Sequence, residues 1–161
     1  METYLLQDLV RVREFREDRA GKAVLKARSF AEEARLDLRK KEKELAAFQK
    51  WRVEEEDRLI RSIMLKKVRL GEITDLRLDI AALRERELDH LDAVKKAEGD
   101  LDRALEDLEQ ARLAHIRATQ ELEKLVEHRE AWRDEMRLKS ERSEDLEMEE
   151  FFSVSAVNLF Q

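Results

Sequence analysis

The apolar spacing of the second half constrains the fold more than any other feature. Alternating steps of four and three residues from Leu76 to Glu150 visit 22 positions, of which fifteen are apolar. A chain with 42% hydrophobic residues would place about nine there by composition alone. A repeat averaging 3.5 residues, sustained over some ten heptads, belongs to a helix whose apolar seam winds left-handedly around a partner. The 161 residues contain no proline and three glycines, so turns are few and sheets or barrels are disfavoured. Charged residues make up 45% of the chain, as in long helices and coiled coils.

The first half is helical with a less regular pattern. Leu5, Leu9 and Val12 open a seam that continues through Ala20, Ala23, Ala27, Phe30 and Ala34. Leu45, Phe48, Leu59 and Ile63 carry it on after slips in phase, which coiled coils absorb by local unwinding. The alanine-rich stretch lets a facing helix approach closely, with large residues opposite to fill the space.

Between the halves lies Lys66-Lys67-Val68-Arg69-Leu70-Gly71-Glu72-Ile73-Thr74-Asp75. Gly71 suits a left-handed residue just past a helix end, cations favour the last turn before it, and Thr74 or Asp75 can cap the next helix. One continuous helix with a tolerated glycine is the alternative. The expected fold is all-α, a long antiparallel two-helix coiled coil over 1–150. Helix one spans about 2–68, the turn about 68–75 and helix two about 75–149. Such a rod would be about 100 Å long at 1.5 Å per residue. The tail 150–161 carries no charge after Glu150, and is expected to be a flexible apolar end or a docking segment.

Chemistry finds little foothold. Cysteine is absent, which removes disulfides and thiolate ligands. His90 and His115 are 25 residues apart, nearly 40 Å along a helix, too far to share a metal. Seam histidines are expected to set register instead. There is no glycine-rich phosphate loop, G-x-S-x-G or H-E-x-x-H motif, and carboxylates on one solvated face do not separate in pKa. The expectation is a protein with no enzymatic activity, cofactor or metal. No apolar run reaches membrane-spanning length, and the N-terminus lacks signal-peptide features, so a cytoplasmic protein without membrane insertion is expected.

Charge is unevenly spread. Residues 1–50 sum to +3, 51–100 to −2 and 101–161 to −7. Arg11, Arg13, Arg16, Arg19, Lys22, Lys26 and Arg28 form a basic stretch that could contact phosphates. The acidic whole, with pI near 5.3, argues instead for an acidic protein surface and no nucleic-acid partner.

Three segments resemble a known family. Leu9-Val10-Arg11-Val12-Arg13 with Arg19-Ala20 and Lys22-Ala23-Val24 is similar to the opening of the YscO group of type III secretion stalk proteins, relatives of the flagellar export protein FliJ. Trp51, Arg52, Glu55, Glu56 and Leu59 match a Trp-Arg-x-x-Glu-Glu-x-x-Leu stretch of that group, and Leu83-Arg84-Glu85-Arg86-Glu87 resembles a Leu-Arg-Glu-Lys-Glu run. The resemblance implies an antiparallel stalk similar to the rotary ATPase γ-subunit. It would couple the hexameric secretion ATPase to the cytoplasmic ring of the export gate, with export chaperones as further partners. Leu9, Arg11, Arg13, Arg16 and Arg19 would face the ATPase. Met64, Lys66, Lys67, Leu76, Ile80 and Leu83 would face the gate. The family-like segment from Trp51 to Leu59 has no implied role, and the Phe-rich tail has no counterpart. A coiled-coil scaffold or adaptor of another bacterial pathway is the alternative.

Overall fold

The computed structural model describes residues 3–159. Two helices account for nearly all of them: α1, Gln7–Ile63, of 57 residues, and α2, Leu70–Asn158, of 89 residues. They pack together antiparallel, and no strand occurs among the described residues. The helices contribute to two compact units, one of residues 3–22 with 112–159 and one of residues 23–111.

The unit of residues 23–111 contains the turn. Its core begins with Val24, Ala31 and Leu108, against which Ala27, Ala104 and Ala111 pack. Phe48, Leu83, Val94 and Ala97 are also buried. Alanine therefore faces alanine as well as leucine. Ala23, Lys26, Ala27 and Phe30 of α1 line an open groove of about 460 Å³ with Asp100, Arg103, Ala104 and Asp107 of α2.

The turn occupies residues 64–69, four to six residues before the 68–75 expected from sequence. Gly71 lies inside the first turn of α2, and no glycine or other described residue has positive φ. The cap explains the shift. Arg69 N–H donates to Glu72 Oε2 at 3.2 Å while Glu72 N–H donates to Arg69 O at 3.0 Å. A carboxylate at the third helical position thus satisfies the N-cap backbone, as in half a capping box. Thr74 is not a cap, since its hydroxyl donates to the Leu70 carbonyl at 3.2 Å within the helix.

In the other unit, Val10 is fully buried and Tyr4 nearly so. Tyr4 Oη lies 2.6 Å from His128 Nδ1, and the Tyr4 and Trp132 rings are 5.4 Å apart. α2 does not end at about residue 149 as expected but stays helical through Asn158. Phe160 and Gln161 of the expected tail, like Glu2 at the start of expected helix one, lie outside the described residues.

The α2 seam follows its sequence pattern closely. Every position from Leu76 to Met136 in the alternating series is buried or half-buried. The last four, Lys139, Ser143, Leu146 and Glu150, are exposed. α1 begins at Gln7, and Tyr4, ahead of it, contacts His128 and Trp132.

The α1 seam corrects the expectation. It runs through Val10, Arg13, Glu17, Ala20, Val24, Ala27, Ala31, Ala34, Leu38, Lys41, Leu45, Phe48, Arg52, Glu55 and Leu59. The alternation of three and four has no slip. Leu5, Leu9, Val12, Ala23 and Phe30, expected inside, are exposed. Five charged residues occupy seam positions, so a search for apolar periodicity loses the true phase.

Candidate functional site

Several charged seam residues are held by ion pairs. In the unit of residues 3–22 and 112–159, Arg13 forms a close ion pair with Glu121. One turn on, His115 Nε2 lies 2.9 Å from Glu17 Oε1. The imidazole also rests on Gly21, where an added Cβ would sit 3.4 Å from Nε2. Glycine here accommodates a side chain from the facing helix.

In the turn-bearing unit the family-like segment builds a larger polar layer. Arg52 Nη1 donates to Glu56 Oε1 at 2.9 Å, and its Nε lies 2.6 Å from Glu87 Oε2. Glu87 also accepts from Gln49 Nε2 at 3.0 Å, and Arg84 Nε lies 3.4 Å from Glu56. The hydrogen bond donated to Glu56, reinforced by the negative charges of Glu56 and Glu87 against the opposing cost of burial, raises the Arg52 pKa above its ordinary range. Arg58 grips Glu55 through both carboxylate oxygens, at 2.9 and 2.5 Å. That contact lowers the Glu55 pKa and raises that of Arg58.

Beside the ions lies an aromatic cluster. Phe48 contacts His90 and Trp51 at centroid distances of 4.7 and 5.6 Å. The Arg86 guanidinium sits over both Phe48 and Trp51, 5.1 and 5.4 Å from their centroids, in cation–π geometry. Each of the three histidines thus has a partner across the hairpin: Phe48 or Glu17 of α1, or Tyr4 ahead of it. Among the described residues no three His, Asp or Glu side chains converge in a metal-binding group.

These contacts divide the candidate sites. Arg13 is turned into the seam toward Glu121, whereas Leu9, Arg11, Arg16 and Arg19 are exposed. Leu9, Val12, Arg16 and Arg19 follow one another by three, four and three residues, which places them along one outer flank of α1. Arg11 lies on the other side of the seam, 3.7 Å from Asp8.

The gate group also splits. Met64, Lys66 and Lys67 are exposed in the turn, but Leu76 and Ile80 are half-buried and Leu83 is buried in the seam. Sequence reasoning missed Leu65 and Leu70, which are exposed beside the turn. The signal was present: both lie off the α2 heptad series, Leu65 just before the basic connector and Leu70 inside it. In the family-like segment, Arg52, Glu55, Glu56 and Leu59 are half-buried and Trp51 is partly exposed, so the segment joins the helices along its inner face.

No helix among the described residues is long and apolar enough to cross a membrane. No curated protein matches the chain. A solved structure of the type III secretion protein YscO from Vibrio parahaemolyticus is similar, with 31% identity over 91% of this chain and 92% of its own and a TM-score of 0.85. A putative YscO homolog from Chlamydia trachomatis shares the fold at a TM-score of 0.78, with 23% identity over 96% of this chain and 94% of its own. The family model for type III secretion protein YscO matches residues 6–154. With the antiparallel helices and their seam in place, the chain belongs to the YscO family of type III secretion proteins.

Proposed function

We propose that the chain is a non-enzymatic central stalk of the type III secretion apparatus. It stands in the bacterial cytoplasm, at the cytoplasmic face, and couples the hexameric secretion ATPase to the cytoplasmic ring of the export gate. Export chaperones are further partners on this reading, with no residues assigned to them. Family membership supports a role in secretion. The observation that carries the finer reading is the cationic outer flank of α1, where Arg16 and Arg19 follow Leu9 and Val12 and remain exposed. Cations at an interface rim steer association with an acidic partner and set its salt dependence. Arg11 adds a further exposed cation, while Arg13 contributes to packing. The exposed turn residues Met64, Leu65, Lys66 and Lys67 supply a separate mixed apolar and basic surface for the gate.

The test is stimulation of the cognate secretion ATPase. The triple variant Arg11→Glu, Arg16→Glu, Arg19→Glu should raise the concentration needed for half-maximal stimulation by about tenfold, with helicity unchanged. Unaltered stimulation would remove this flank from the ATPase interface. Lys66→Glu with Lys67→Glu should spare the ATPase and weaken binding to the isolated cytoplasmic domain of the gate.

A further inference from the structure

Tyr4 ties the two chain segments of the unit of residues 3–22 and 112–159 together. It stands ahead of α1, yet its carbonyl accepts from the Gln7 N–H at 3.1 Å, which fastens it to the first turn of that helix. Tyr4 is 9% exposed, its ring 5.4 Å from the Trp132 ring and 5.7 Å from that of His128. Its Oη lies 2.6 Å from His128 Nδ1. One side chain thus packs against α2 with its ring and bonds to it through its tip. Leu5, the next residue, is 95% exposed and takes no part.

Between this clasp and Gly21, little else holds α1 to α2. The seam positions of α1 there are Val10, Arg13, Glu17 and Ala20, of which Val10 alone is buried. The pairs of Arg13 with Glu121 and of Glu17 with His115 are partly exposed and add little net stability. Ala20 offers a single methyl group. The facing Ala118, Leu122, Leu125 and Arg129 are all half-buried. Gly21, the one glycine of α1, follows, and its backbone has more freedom than that of any other residue type. A helix of about 14 residues detached from its partner is marginal in water, so residues 7–20 would unwind as a block once released.

We infer that Tyr4 is a latch: its clasp on His128 and Trp132 keeps residues 7–20 seated on α2, and its release frees them as one cooperative segment that ends at Gly21. Local unfolding proceeds in such contiguous units, drawn from the stretches with the fewest buried apolar contacts. Release uncovers Val10, Leu122, Leu125 and Trp132, so the latch governs access to this part of the seam. The inference holds whether or not the stalk reading does.

The test is native-state hydrogen exchange of the full chain, followed residue by residue by NMR, for the wild type, Tyr4→Ala and Leu5→Ala. In the wild type the amides of residues 11–20 should share one level of protection, below that of residues 24–60, with the step at Gly21. Tyr4→Ala should speed exchange about tenfold throughout residues 11–20 and leave residues 24–60 unchanged, whereas Leu5→Ala should alter neither. Protection that rises gradually inward from the N-terminus is ordinary fraying and would overturn the latch. So would an effect of Tyr4→Ala confined to the first turn, an equal effect of Leu5→Ala, or acceleration that extends into residues 24–60.

Discussion

In the turn-bearing unit Val24, Ala31, Phe48, Leu83, Val94, Ala97 and Leu108 are buried, whereas in the other unit the buried residues are Tyr4 and Val10. The second unit leaves its other apolar seam residues, Leu122, Leu125, Trp132 and Met136 among them, half-buried, and adds paired polar layers, Arg13 with Glu121 and Glu17 with His115, and the Tyr4–His128 contact. The comparison separates two tasks of a seam. Apolar burial supplies most of the free energy in proportion to area, while half-buried ion pairs contribute little net stability and penalise wrong alignments. A seam whose apolar residues stay mostly half-buried between polar layers is well aligned but less strongly held.

That contrast can be broken most strongly by truncation. Phe48→Ala removes a buried ring and its contacts with Trp51, His90 and Arg86, and should cost about 3 kcal/mol by chemical denaturation. A smaller deletion in the other unit, Val10→Ala, removes two methyl groups and should cost about 1.5 kcal/mol. Equal costs would contradict the unequal partition of the core.

A smaller effect sharpens the role of the polar layers. In a double-mutant cycle, Arg13→Ala and Glu121→Ala should show a coupling of about 0.5–1 kcal/mol, reduced by salt because both side chains remain partly exposed. A coupling near zero would leave Arg13 free to serve a partner instead.

The smallest effect depends on pH. Arg58 lowers the Glu55 pKa, so the ionised carboxylate favours the folded state. This stabilisation is present above the ordinary carboxylate range and is lost as pH falls through the lowered pKa. The stability gap between the wild type and Glu55→Gln should therefore be visible in urea midpoints at about pH 7 and narrow progressively as pH falls below the ordinary carboxylate range. A gap that persists in acid would assign the contribution to something other than the charge.

The sequence pattern revealed α2 almost position by position because apolar residues fill most of its seam. It misplaced α1 because Arg13, Glu17, Lys41, Arg52 and Glu55 sit where hydrophobicity is expected. The exposed Leu9, Val12 and Phe30 then drew the phase to the wrong face. For Arg13, Glu17 and Arg52 the facing partners, Glu121, His115 and Glu87, show why charges are tolerated there, and they lie 35 to 108 residues away in the chain. The turn was displaced for a similar reason, since Gly71 stood out in the sequence while the Glu72 side chain performs the capping. The resemblance marked the Trp51–Leu59 segment without a role, and the structure supplies one in the Arg52 network.

Those interior charges have a mechanical corollary. Small side chains against small side chains make a smooth track, along which two helices could slide by one heptad, about 10.5 Å, and repack much as before. Here that displacement would press Glu17 against Leu108 or Leu122, and Arg52 against Ile80 or Val94. Each wrong setting strands a charge in oil, so the track has teeth. A pull on one helix would be carried by the other without slippage, and the pair would fail by peeling apart rather than by creeping.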